Sequence, residues 1–283
     1  MAIDWSERGE KRGLAVEGIN HDSKIIEAFL SAGERKGNQY CQNWRSKIVI
    51  KGAGSSTNVT NELKIHNNDP DSKHYGMIWG LIDRDWNSPN EIKQLKKDYP
   101  QLLILPRVMI ENYLIDPDEL IPLLPSLKNG QADDLKTRIE AELDRWVQNG
   151  AMWQVLHDEG ADKFCSRKGD NYPGALRNSP ITEETEITKI LGEFQTKLDP
   201  KMILPVYRDK VSKFQGLPKE VRYQQCIYGK KFFNQVVVKA LNDIITLKPK
   251  QKSGTWHLEL VQQEPKPDDC PADLIPLLQK LLS

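Results

Sequence analysis

Short apolar runs recur along the first hundred positions, and each ends abruptly in polar or glycine-containing chain. Leu14-Ala15-Val16, Ile48-Val49-Ile50, Met77-Ile78-Trp79-Gly80-Leu81-Ile82 and Leu102-Leu103-Ile104-Leu105 are brief and unbroken by polar residues, the pattern of strands covered on both faces. Helical spacing fills the intervals. Residues 23–30 place Ile25, Ile26, Phe29 and Leu30 on one side, with Asp22 or Ser23 as the expected cap. Residues 58–64 follow a Gly52-Ala53-Gly54-Ser55-Ser56-Thr57 turn, and residues 90–97 follow Pro89, a residue suited to a first helical position. Strands alternating with helices predict an α/β fold with a mostly parallel sheet flanked by helices, whose ligands meet the loops at the strand C-terminal ends.

Beyond Asn112 the pattern becomes helical. Asp116 precedes Pro117 as an expected cap, residues 133–147 carry Leu135, Ile139, Leu143, Trp146 and Val147 at helical spacing, and a further apolar segment covers 232–247. The Gly, Asn and Pro content of residues 166–180 predicts a loop, and residues 273–282 predict a closing helix with five leucines on one face. The expected organisation is a catalytic sheet domain over residues 1–125 and a mainly helical accessory domain over 126–283, serving nucleic-acid or partner binding.

Composition narrows the class. The 283 residues are 38% hydrophobic and 28% charged, with no apolar run of the about 18 residues that a membrane span needs. The N-terminal residues lack the apolar stretch of a secretory signal, so a soluble cytoplasmic protein is expected. Cys41, Cys165, Cys226 and Cys270 form no Cys-x-x-Cys pair, which argues against a zinc knuckle and predicts reduced, buried thiols. Forty basic and forty acidic residues cancel, leaving no global attraction to nucleic acid. Residues 201–253, however, hold twelve Lys or Arg against three acids, a local net charge of +9.

The candidate chemistry sits where the runs end. Asp83 and Asp85 follow the third strand at i and i+2, a spacing that a turning backbone can aim to one side as a hard-oxygen site for Mg²⁺. Like charges clustered at the end of an apolar strand call for compensation, which a divalent cation supplies. Glu17 ends the first strand, with Gly18 permitting a close turn and Asp22 five residues on. A solvated turn and a helix cap are the ordinary roles for such acids taken singly.

Taken together, Val16-Glu17-Gly18 with Asp22, Gly80-Leu81-Ile82-Asp83-Arg84-Asp85 and Ile110-Glu111-Asn112-Tyr113-Leu114 resemble the Toprim domain over about residues 12–125. Their order is similar to that of Toprim nucleases of the OLD branch, including the AriB-type effector subunits of PARIS antiphage systems. The resemblance implies Glu17, Asp83 and Asp85 as catalytic acids. It implies Asp22 and Glu111 as further ligands completing a site for two Mg²⁺ ions, with Mn²⁺ as the substitute. It also implies a phosphodiester substrate, tRNA or DNA, and an ABC-type ATPase partner that senses infection. A homo-oligomer is a further expectation, and a membrane is not. Lys51, Lys230 and Lys231 are the weaker phosphate-contacting candidates. No Gly-x-x-x-x-Gly-Lys-[Ser/Thr] loop is present, so any ATP dependence would come from the partner. Competing readings are a glycosyltransferase using Asp83 and Asp85 and a catalytically silent ATPase-binding subunit.

Overall fold

A computed structural model describes residues 3–19, 21–67, 70–124, 127–158, 192, 195–196, 198–244 and 270–282. Cys165, the expected loop at 166–180 and the basic residues beyond 244 lie outside the described residues. Within them, β1 (Arg12–Val16), β2 (Ile48–Gly52), β3 (Ile78–Ile82) and β4 (Leu102–Ile104) form one sheet of order β2-β1-β3-β4, parallel throughout. Val16 stands opposite Gly52 on one side and Leu81 on the other, so β1 is central and its end faces the ends of both neighbours.

The intervening helices are α1 (Asp22–Arg35), α2 (Trp44–Lys47), α3 (Ser56–Asn67) and α4 (Pro89–Asp98). They produce the expected α/β layering. Val59 and Leu63 of α3 pack with Trp5, Ala15, Ile78, Ile82, Leu102 and Ile104 into one core cluster. Gly80 makes this approach feasible, since a Cβ there would stand 2.6 Å from a Val59 methyl. Glu62 is buried beneath the N-terminal segment, where it accepts hydrogen bonds from Ile3 N (2.8 Å) and Trp5 Nε1 (3.0 Å).

Capping differs from expectation at one helix. α4 starts with a full capping box, Ser88 and Glu91 each satisfying the other's amide, and α5 (Pro117–Leu120) starts on Asp116 as the sequence predicts. Neither Asp22 nor Ser23 caps α1. His21 occupies the N-cap position without a side-chain bond, because the Asp22 carboxylate reaches backwards to the loop instead.

By contact, the described residues up to Ala141 and from Tyr228 onward form one compact unit, and those from Glu142 to Ile227 form another. The 30-residue helix α6 (Asn129–Asp158) contributes to both. The second unit also contains α7 (Pro200–Gln215) and α8 (Lys219–Gln225), with ion pairs Arg222–Asp144 at 2.7 Å and Lys210–Asp158 at 3.0 Å. In the sheet-containing unit, α9 (Gly229–Phe232) runs through a π turn (Phe233–Val237) into α10 (Val238–Ile244), and α11 (Ile275–Leu282) closes the described chain. The accessory region is therefore helical, as expected, but its segment from Tyr228 belongs with the sheet. Among the described residues no helix is long and apolar enough to cross a membrane.

Candidate metal centre

The order β2-β1-β3-β4 reverses direction at β1, and in parallel sheets ligands gather in the crevice at such a reversal. Glu17 follows β1 and Asp83 follows β3, so both stand at that crevice. Glu17 Oε1 accepts the Asp83 amide at 2.9 Å, and Asp83 Oδ1 accepts the Ile110 amide at 2.9 Å. These two bonds join the ends of β1 and β3 to the 3₁₀ turn Ile110–Tyr113, which carries Glu111.

Asp22 joins them because its loop is tightly folded. Its Oδ2 accepts the Gly18 amide at 2.7 Å, and any Cβ on Gly18 would collide with that same carboxylate. Gly52, at the end of β2, packs against the Gly18 carbonyl and the Ile19 backbone too closely for a side chain. Ala53 N and Gly54 N then donate to the Val16 and Glu17 carbonyls, both at 2.7 Å, which fixes the loop from behind.

Asp85 is positioned by strain and by packing. Its φ of 50° lies in the left-handed region, tolerable for an aspartate, and its amide donates to the Val108 carbonyl at 2.8 Å. Trp86 is buried beside it against Val108 and Met109, with Tyr228 packed on the same cluster. Tyr228 leads into α9, so one apolar contact ties the Asp83-Arg84-Asp85 turn to the start of that helix. Gly229 lies so close to Asn112 Oδ1 that a side chain there would clash. Asn112 is fully buried and spends that same oxygen on the Met109 amide at 3.0 Å.

The five acids share one electrostatic field. Burial, then the Asp85 and Asp22 charges, push the Glu17 carboxyl from 4.5 to about 7, against the pull of the Asp83 and Ser56 amides. Burial first and Asp22 next raise Glu111 to about 7, opposed by Lys230. Asp83 is raised well above the usual carboxylate range by burial and then by Glu111, Glu17, Asp22 and Asp85. Asp22 is raised by burial and held back by the Gly18 amide and Lys230. Every sequence candidate among the acids thus lies within reach of the others' charge.

The lysines separate. Lys230, exposed on the first turn of α9, is a cation that both Asp22 and Glu111 feel. Lys231 is exposed beside it. Lys51 points elsewhere: its ammonium donates to the Asp4 carbonyl at 2.6 Å and lies 3.7 Å from Glu7. The structure adds Arg107, which sequence reading passed over. It is buried, forms ion pairs with Glu119 and with Asp273 (2.9 Å), donates to the Asn112 carbonyl at 3.0 Å, and stacks over the Tyr113 ring at 3.8 Å. An arginine isolated between apolar runs was the available signal.

Among the described residues, no three His, Cys, Asp or Glu side chains already converge as a metal cage. The donor chemistry nevertheless fits a hard divalent cation. All five groups are carboxylates, and one oxygen each on Glu17, Asp22 and Asp83 is anchored by a backbone amide. No family model, curated protein or solved structure matches the chain.

Proposed function

We propose that this chain is a magnesium-dependent nuclease of the Toprim type, hydrolysing phosphodiester bonds in RNA or DNA. The observation that carries the reading is the electrostatic influence that Glu17, Asp22, Asp83, Asp85 and Glu111, from three separate stretches of sequence, exert on one another near the reversal point of a parallel sheet. A glycosyltransferase needs the Asp83 and Asp85 pair but gives no role to Glu17 or Glu111.

Asp83 and Asp85 hold Mg²⁺ or Mn²⁺ in this reading, with Asp22 and Glu111 serving a second ion. When bound, the ions supply Lewis acidity toward the phosphoryl group and an acidified water. Glu17 binds metal or takes a proton from the attacking water. Lys230 offers its ammonium to a phosphate oxygen at the edge of the acids. In keeping with the resemblance to antiphage effectors, we further propose that an ABC-type ATPase controls the activity in the cell.

The test uses purified protein and its Asp83→Asn variant with supercoiled DNA and bulk tRNA, in Mg²⁺, Mn²⁺ or chelator, with products resolved on gels. Metal-dependent cleavage that the variant loses supports the reading and identifies the substrate class. Cleavage that survives Asp83→Asn sinks the assignment.

A further inference from the structure

Gly33 lies in the last turn of α1, at a point where a side chain would have no room. The reason is two cysteines. A Cβ on Gly33 would stand 2.5 Å from Cys41 Sγ, 3.1 Å from Cys41 Cβ and 3.2 Å from Cys270 Cβ. Both cysteines thus crowd one point on the helix surface, and the two distances allow their Cβ atoms to lie at most about 6.3 Å apart. A disulfide requires a Cβ separation of roughly 3.5 to 4.5 Å, a range that this bound includes. Local chain folding explains the convergence. Asn38 N donates to the Gly33 carbonyl at 2.8 Å and Cys41 N to the Asn38 carbonyl at 3.0 Å, turning Cys41 back over α1. Cys270 opens the stretch that leads into α11. Both side chains are buried, and both are thiols, as is Cys226, which lies in the other compact unit.

We propose that Cys41 and Cys270 are a redox-responsive pair that closes to a disulfide across Gly33 when hydrogen peroxide reaches it. One thiol gives up its proton and attacks a peroxide oxygen as thiolate; the S–O bond forms, the O–O bond breaks, and the departing hydroxide takes that proton and leaves as water. The second thiol sulfur attacks that sulfur; the S–S bond forms, the S–O bond breaks and a second water departs. Two thiols and one peroxide give one disulfide and two waters. The link fastens α1, which begins with Asp22, to the segment carrying Asp273, the partner of Arg107.

The full chain is titrated with peroxide, alkylated, digested without reductant and mapped by mass spectrometry. The proposal expects a Cys41–Cys270 linked peptide lighter by two hydrogens than its parts. Alkylation at both positions should fall in parallel while Cys226 stays alkylated, and dithiothreitol should reverse the change. In Cys41→Ser the link should vanish and Cys270 should remain alkylated. Linkage of either cysteine to Cys165 or Cys226, separate oxidation of the two, or no reaction at peroxide levels that oxidise Cys226 would overturn it.

Discussion

At the scale of single residues, the acids impose a cost that a cation would relieve. Asp83 is charged only against the repulsion of four neighbouring carboxylates and the loss of water. Asp83→Asn should therefore stabilise the metal-free protein by about 1 to 3 kcal/mol in urea denaturation with chelator present, while lowering cleavage by about 100-fold or more. A variant less stable than the parent would mean that the carboxylate is a structural anchor. Gly18→Ala tests the other side of the site. Its added methyl meets the Asp22 carboxylate, so Asp22 must swing away or the loop must open, at about 1 to 3 kcal/mol. Isothermal titration should show weakened Mg²⁺ binding in that variant, and parental affinity would remove Asp22 from the ligand set.

At the scale of elements, Arg107 clamps the end of β4 to α5 and to the approach to α11. Removing a buried arginine leaves its carbonyl and carboxylate partners unmatched, so Arg107→Ala should destabilise by about 2 to 4 kcal/mol. Early tryptic release of the α11 segment is the expected sign. The elements themselves were largely legible. Four apolar runs became four strands because each is too short for a helix and too continuous for an exposed strand. Glu17 and Asp83 stood out as candidates because each directly ends one of those runs. The role of Asp22 was read only in part: a cap and a back-reaching carboxylate have the same local sequence, and only the approach of Gly52 behind the loop decides between them. The placing of Lys230 was not legible, since it depends on Tyr228 packing with Trp86 more than a hundred residues away.

At the scale of the whole molecule, stability should carry the signature of the site. Glu17 and Glu111 have folded-state values of about 7 against 4.5 ordinarily, so between those values the folded chain holds protons that the unfolded chain has released. The free energy of unfolding in chelator should be highest below about pH 4.5 as far as these groups decide it. It should fall as pH rises toward 7 and level off above, each group contributing a decline of about 1.4 kcal/mol for every pH unit between its unfolded and folded values. Mg²⁺ in excess should flatten that decline by favouring the deprotonated acids. A decline indifferent to Mg²⁺ would mean that the cluster does not bind the ion.

The π turn between α9 and α10 has a consequence for how the protein could be edited. Such a turn holds one residue more than an ordinary helix would over the same length, and so lets the helices on either side keep one rotational phase. Excising a single exposed residue there, Gln235, should therefore wind the segment back into plain α-helix with the Gly229–Lys230 end still in nearly the same phase relative to α10. No side chain of the sheet or of the acid cluster would be altered. The deletion would keep both the sheet and the direction of the lysine, so the turn reads as an inserted residue that the fold absorbs without moving its cation.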